Sequence, residues 1–365
     1  MYAPDTRCRV AAHRQRGLSI VEVMVGMVVA LLVGLAAAGA ALSFSASQRQ
    51  GIGTGGAMVN ASTALTALRD DLASAGLGFF GDSRFLCEKL NLSIGDVKLS
   101  DGDSFLPLRI TNVTGGVEID AVWGLQVAAG TNVLLKFATD ASASAQVRSL
   151  LPVQSGQAVL VAPPSPGVPC LVRTVTAVTA STVDTPQALA FGSIGKYNKA
   201  TFTTMPTYTA GDQLPDIARV ALLGDLHWSR YILTGTTLQL QRPMEGTTVD
   251  LVPNVIGFRA EYGIAADAAD ATALESWTQA TGTFASLNAT TLKRVRAVRV
   301  GMVTRSPLPE KPDGNGNCQA TLNKPKDPFD PTVEITPDVT DWKCYRYRTA
   351  VIVVPVRNFV IGMKQ

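Results

Sequence analysis

From Val23 to Gln48 the chain carries no charged side chain. At about 1.5 Å of rise per residue, a helix of that length crosses the ~30 Å hydrocarbon core of a bilayer. Such a run constrains the chain more than any other feature, because it must lie in lipid or be sheathed by protein. Arg7, Arg9, Arg14 and Arg16 precede it, opposed only by Asp5, and this cluster accounts for the whole formal charge of +3. A cationic flank on one side sets orientation, with that end in the cytoplasm and everything after the helix beyond the membrane. Once residues 1–17 are set aside, basic and acidic side chains balance, so no electrostatic pull toward nucleic acid remains.

An export signal that is simply removed has its cleavage site after the apolar stretch. Here the candidate break lies before it, between Gly17 and Leu18, and Glu22 becomes the fifth residue of the product. A carboxylate at the head of a spanning helix costs on the order of 2–3 kcal/mol and calls for a partner. The α-amine freed at Leu18, with an ordinary pKa near ~8, is mostly cationic and supplies one. The arrangement of basic leader, Gly, break, four residues, Glu and apolar helix resembles the type IV prepilin motif. That resemblance implies cleavage by a prepilin peptidase, N-methylation of Leu18, and pairing of Glu22 with the N-terminus of a neighbouring subunit to set register. Leu18 replaces the commoner phenylalanine, and the proline of many major pilins is missing from the membrane helix.

Glu22, Gly26, Ala30, Gly34 and Ala38 recur every fourth residue, a ridge of small side chains along which helices pack closely in an apolar setting. Gly51–Gly56 reads GIGTGG, and each glycine weakens a helix by about 1 kcal/mol relative to alanine, which predicts a soft joint. Beyond it, Met58, Ala61, Leu65, Leu68, Leu72 and Ala75 keep a 4/3 spacing, the stripe of an amphipathic helix laid on a core.

After Gly76 the pattern changes to short β-rich runs between turn residues, at Phe105–Asn112, Val117–Val127, Asn132–Phe137, Gln157–Val161, Cys170–Val178, Val220–Leu226, Trp228–Leu233 and Thr237–Gln241. A hairpin loop is expected at Thr234–Thr236. Three further strands are read in Leu251–Ile264, Leu292–Pro307 and Cys344–Asn358. The first holds V-x-x-V-x-x-F-x-x-x-Y-G, the second the arginine-rich V-R-A-V-R-V, and the third ends in V-x-x-R-N. In this order they resemble the C-terminal part of PilW-type minor pilins. A slip in alternation at Ala297–Val298 suggests a bulge. Arg294, Arg296 and Arg299 are read as a solvated sheet edge rather than a binding strip.

The expected fold is therefore α+β: a long N-terminal transmembrane and amphipathic helix packed on an antiparallel sheet, with an additional β-rich lobe. The expected divisions are a leader at 1–17, a filament-core helix at 18–48, its amphipathic continuation at 57–76, the lobe at 77–250, and a pilin-like sheet with a disulfide loop at 251–365. Cys8 leaves with the leader, and an even set remains on the oxidising side of the membrane. Its members, Cys87, Cys170, Cys318 and Cys344, permit three connectivities. Pilins often close a C-terminal loop, which implies Cys318–Cys344 and leaves Cys87–Cys170. The first bridge contributes about 3 kcal/mol in a chain-entropy model.

Catalytic patterns are wanting. His227 is the one histidine beyond the leader, and GSIGK at Gly192–Lys196 lacks phosphate-loop spacing. Asp313, Asn315 and Asn317 alternate with glycine, but Lys324 stands where a calcium loop needs glutamate. No enzyme activity, cofactor or metal is expected. The resemblance implies a minor pilin that primes pilus assembly and sits near the fibre tip, first in the inner membrane with a periplasmic domain and then in an extracellular pilus. Implied partners are the prepilin peptidase, other minor pilins, the major pilin and the assembly platform. The rivals are a type II secretion pseudopilin and a membrane-tethered periplasmic binding protein or adhesin.

Overall fold

The computed structural model describes residues 19–81, 84–126, 128–165, 167–182, 185–210, 217–267 and 273–361. Backbone contacts divide the chain into two units, Met1–Ile52 and Gly53–Gln365. The N-terminal helix is assigned from Ile20 to Ser74. Within it Ile20–Ala41 has a mean hydropathy of 2.6 over 22 residues, enough to cross a membrane, and its side chains are exposed. Gly51–Gly56, expected as a soft joint, has helical backbone. Helix propagation adds one hydrogen bond per residue once nucleated, and long helical segments on both sides carry it through the glycines.

In the second unit, Ala61, Ala64, Leu65, Leu68, Leu72 and Ala75 are all at most 4% exposed. They pack with Ile110, Ile119, Tyr231, Phe258, Tyr262, Val298 and Val300 of the sheet. Each buried leucine contributes on the order of 1.5–3 kcal/mol. Met58, expected to begin this stripe, is 65% exposed instead. Contact with the sheet starts one turn later, at Ala61. The helix ends where Gly76 adopts φ +84°, a conformation that side-chain-bearing residues rarely take.

The large sheet begins with the terminal strand Tyr347–Pro355 at one edge. Val295–Arg305, Val255–Ile264, Gly116–Leu125 and Arg219–Thr234 follow, then Ala158–Ala162, Cys170–Thr174, Lys89–Ile94 and Val97–Ser104. Pairing is antiparallel along this path except at two junctions. Val255–Ile264 meets Gly116–Leu125 in parallel, as does Cys170–Thr174 with Lys89–Ile94. The strands after residue 250 lie together at one end of this sheet and join those before it where Val255–Ile264 meets Gly116–Leu125, so one sheet runs across that boundary. The additional lobe is instead gathered around Leu135, Val147, Leu171, Leu189, Phe191, Phe202 and Tyr208. It includes a separate three-stranded sheet of Ser144–Val147, Gln187–Ala190 and Ala177–Thr179.

Two strands expected at Val220–Leu226 and Trp228–Leu233 are one strand of 16 residues, Arg219–Thr234. Its register slips between Leu222 and Gly224, so the chain passes from one set of partners to the next through a bulge. Conversely, the run Leu251–Ile264 is two strands, Thr247–Val252 and Val255–Ile264, parted at Pro253 and Asn254. The hairpin after Thr234 forms as expected, with Thr234 opposite Thr237. The bulge expected at Ala297–Val298 sits one residue earlier. Gly263 faces Ala297 and Ile264 faces Val295, which leaves Arg296 as the extra residue.

Candidate functional site

Glu22 lies in the first turn of the helix and is exposed, as are Gly26, Ala30, Gly34 and Ala38. A Cβ added at Gly26 or Gly34 would meet nothing within 4 Å. The glycines thus weaken the helix by about 1 kcal/mol each without serving any contact among the described residues. Gly17 and Leu18, the expected processing residues, lie outside the described residues.

At the other end of the sequence, the arginines of Val295–Arg305 are drawn into structure. Arg299 donates through Nε to Glu261 at 2.7 Å, and its guanidinium lies 4.9 Å from the Trp277 ring and 4.3 Å from Phe329. Glu261 is buried, and Arg299 supplies the opposite charge and hydrogen bond that a buried carboxylate needs. Arg294 donates to the Ala265 carbonyl and stacks over Phe284, while Arg296 donates to the carbonyls of Lys293 and Val295. The expectation of a merely solvated edge is corrected here: Arg299 is a packing element.

The reason is the loop closed by Cys318–Cys344, one of two disulfides among the described residues, the other being Cys87–Cys170. This loop lies against the sheet. Asp327 accepts from Arg259 at 2.9 Å, and Phe329 covers Arg299. A Cβ on Gly301 would stand 2.4 Å from Pro328, and one on Gly257 would stand 2.6 Å from Ile335. These two glycines therefore make room for the loop. The pairing of each glycine with a bulky loop residue was the signal sequence reading missed. Beside the loop a cleft of about 140 Å³ is lined by Asn112, Arg259, Glu261, Gln279, Asp327 and Phe329, among others.

A second centre is Asp120, 2% exposed. It accepts from Arg109 at 2.9 Å, Trp228 Nε1 at 2.9 Å and Arg230 Nε at 2.8 Å, so a buried carboxylate is fully partnered. Burial pulls the Arg230 guanidinium down, but its bond to Asp120 and the nearby Glu118 more than offset this and leave it raised. His227 faces Trp123 across the same strand pair with the rings stacked at 5.4 Å. In the DGNGN turn, Asp313 Oδ1 accepts the N–H groups of Asn315 and Asn317, so its carboxylate closes the turn itself.

The V-x-x-R-N ending also acquires a physical meaning. The Asn358 amide donates to the carbonyls of Ala73, Ser74 and Ala75 at 3.4, 3.1 and 3.1 Å. These carbonyls stand at the end of the N-terminal helix, where the i→i−4 ladder runs out, and Ser74 also accepts from the Leu77 N–H. Phe359, wholly buried, packs on Phe80 and closes over Gly76.

No curated protein sequence matches this chain. A solved type IV-like pilin from Thermus thermophilus aligns over 83% of this chain and 97% of its own. Its identity is 8% and its TM-score 0.33, a similarity too slight to carry function. The family model that matches begins inside the long strand, about twenty residues before the first motif read from sequence, and ends at the asparagine that caps the helix. Over residues 230–358 the chain matches the family described as type IV pilus-assembly protein W.

Proposed function

We propose that this chain is a minor pilin of the type IV pilus, a structural subunit with no catalytic role. The observation that carries the reading is the combination of the pilus-assembly match at 230–358 with an exposed apolar helix headed by Glu22 at the opposite end of the sequence. Prepilin peptidase cuts after Gly17 and methylates Leu18, and the freed amine of one subunit meets Glu22 of another. Gly26, Ala30, Gly34 and Ala38 let neighbouring helices approach. Before assembly the subunit rests in the inner membrane with its second unit in the periplasm. It then joins other minor pilins on the assembly platform, helps to prime the fibre, and stays near the tip as major pilin is added.

The test is mass spectrometry of the mature N-terminus with and without the prepilin peptidase. A polypeptide beginning at methylated Leu18 only when the peptidase is present is the expected result. A product that keeps Met1, or one that begins after Ser43, refutes the reading. A deletion that abolishes twitching separates this function from a type II secretion pseudopilin, whose loss stops enzyme export.

A further inference from the structure

The strand Tyr347–Pro355 ends the large sheet and has Val295–Arg305 as its one neighbour along the sheet path. Nine consecutive pairs join them, from Arg305 opposite Tyr347 to Ala297 opposite Pro355, without a register shift. In such a ladder the N–H and C=O groups of alternate residues point away from the neighbour. Among the described residues, no hydrogen bond fills that outer row.

Natural edges are shielded by a mid-strand lysine, a bulge, shortness or a covering segment. This strand has none of these within Ala350–Val354, an apolar run that Pro355, an edge-shielding residue, brings to an end. Val351 and Val353 are 47% and 54% exposed on one face, while Ala350 and Ile352 lean on the core from the other. Charge is confined to the ends and is of one sign. Arg346 is held by Glu310, whereas Arg348 and Arg357 are exposed, and no acidic residue occurs from Tyr345 to Ile361.

We propose that this edge is a docking site for an extended strand of another subunit, apolar in its middle and acidic at its ends. A row of open backbone donors and acceptors is matched residue for residue by another extended backbone, and the flanking arginines select carboxylates around it. A second copy fits poorly. Laid antiparallel about Val351, it brings Arg357 of one chain to the end where Glu310 already holds Arg346 of the other and Arg348 adds a further cation, and the strand carries no acid of its own. That the donor belongs to the same assembly rests on the function proposed above, but the shape and charge of the edge do not.

The experiment places a photo-reactive benzoylphenylalanine at Val351, at Val353, and, as control, at Leu322, which is 73% exposed in the disulfide loop. The full chain is expressed and irradiated in its host. Adducts are expected at positions 351 and 353 but not 322. Sequencing should identify a segment of a different protein with alternating apolar residues and flanking Asp or Glu. Incorporation into filaments without an edge adduct overturns the docking proposal and leaves the pilin reading intact, and an adduct with this chain's own sequence overturns it as well.

If the chain does not enter filaments, the pilin reading falls and the edge is judged on the purified full chain in detergent. The probe is a labelled peptide, Asp-Thr-Val-Thr-Val-Thr-Val-Glu. Saturable binding is expected, about tenfold weaker when arginines replace its acidic ends and about tenfold weaker again with Val351→Lys/Val353→Lys. Absence of saturable binding, or equal affinity for both peptides, overturns the proposal.

Discussion

Replacing Asn358 tests whether the last residues of the chain hold the end of the first helix. The side-chain amide has two hydrogens and reaches three carbonyls, so one hydrogen is shared. Two net hydrogen bonds at about 0.5–1.5 kcal/mol each give about 1–3 kcal/mol. Asn358 is only half-buried, and water takes up part of the loss, so Asn358→Leu should cost about 1–2 kcal/mol. Asn358→Asp removes the same donors and sets an anion against the negative end of a helix, for about 0.3–1 kcal/mol more. The assay is urea unfolding of the full chain in detergent followed by tryptophan fluorescence, with the slope held common to all variants. Hydrogen exchange in Leu68–Ser74 should accelerate in parallel. A midpoint for Asn358→Leu that corresponds to a loss under about 0.3 kcal/mol, or an aspartate variant as stable as the parent, refutes the capping argument.

Three other outcomes follow from the same structure. Gly301→Ala drives a Cβ into Pro328, which cannot yield as a flexible side chain would, and should destabilise by about 1–3 kcal/mol while loosening the Cys318–Cys344 loop to proteolysis. Burial raises the Asp71 carboxyl above its ordinary range, although the hydroxyls of Tyr231 and Ser229 and the charges of Arg242 and His227 act the other way. Ionising it as pH rises therefore weakens the fold. Asp71→Asn should unfold at higher temperature than the parent at neutral pH, with the advantage vanishing below about pH 4, where the parent is protonated in both states. Gly34→Leu should leave the stability of the second unit unchanged, since none of the described residues comes within 4 Å of a Cβ placed at Gly34, yet lower recovery of the protein in sheared filaments. Undiminished recovery counts against close helix packing at that ridge.

Features set by local chemistry were legible before the structure. The uncharged run, the Glu22 head, the 4/3 stripe from Ala61 to Ala75 and the hairpin after Thr234 each depend on neighbours a few residues away. What escaped depended on distant partners. A turn signal at Pro253–Asn254 was present, but an apolar run on both sides concealed it. At His227 the polar residue between apolar neighbours suggested a break, whereas Trp123 across the ladder supports one continuous strand. Gly257 and Gly301 looked like ordinary strand glycines until Ile335 and Pro328 were seen over them. Arginine spacing did not reveal that Arg299 would be held between Trp277 and Phe329. Under the proposed function the head of the helix meets another molecule, and its residues are accordingly exposed here.

The strand Arg219–Thr234 has a mechanical consequence. Its first residues pair with Ala158–Ala162 and Asn132–Leu134, and its last with Gly116–Leu125 and Thr237–Arg242. The lobe and the C-terminal sheet thus share one uninterrupted backbone instead of meeting at a linker. Tension applied to the lobe enters the sheet as shear, spread over many rungs at once, and neither part can swing without tearing the ladder. Placed in a fibre, as proposed above, such a shared strand would pass pulling force from one part to the other with little slack to take up.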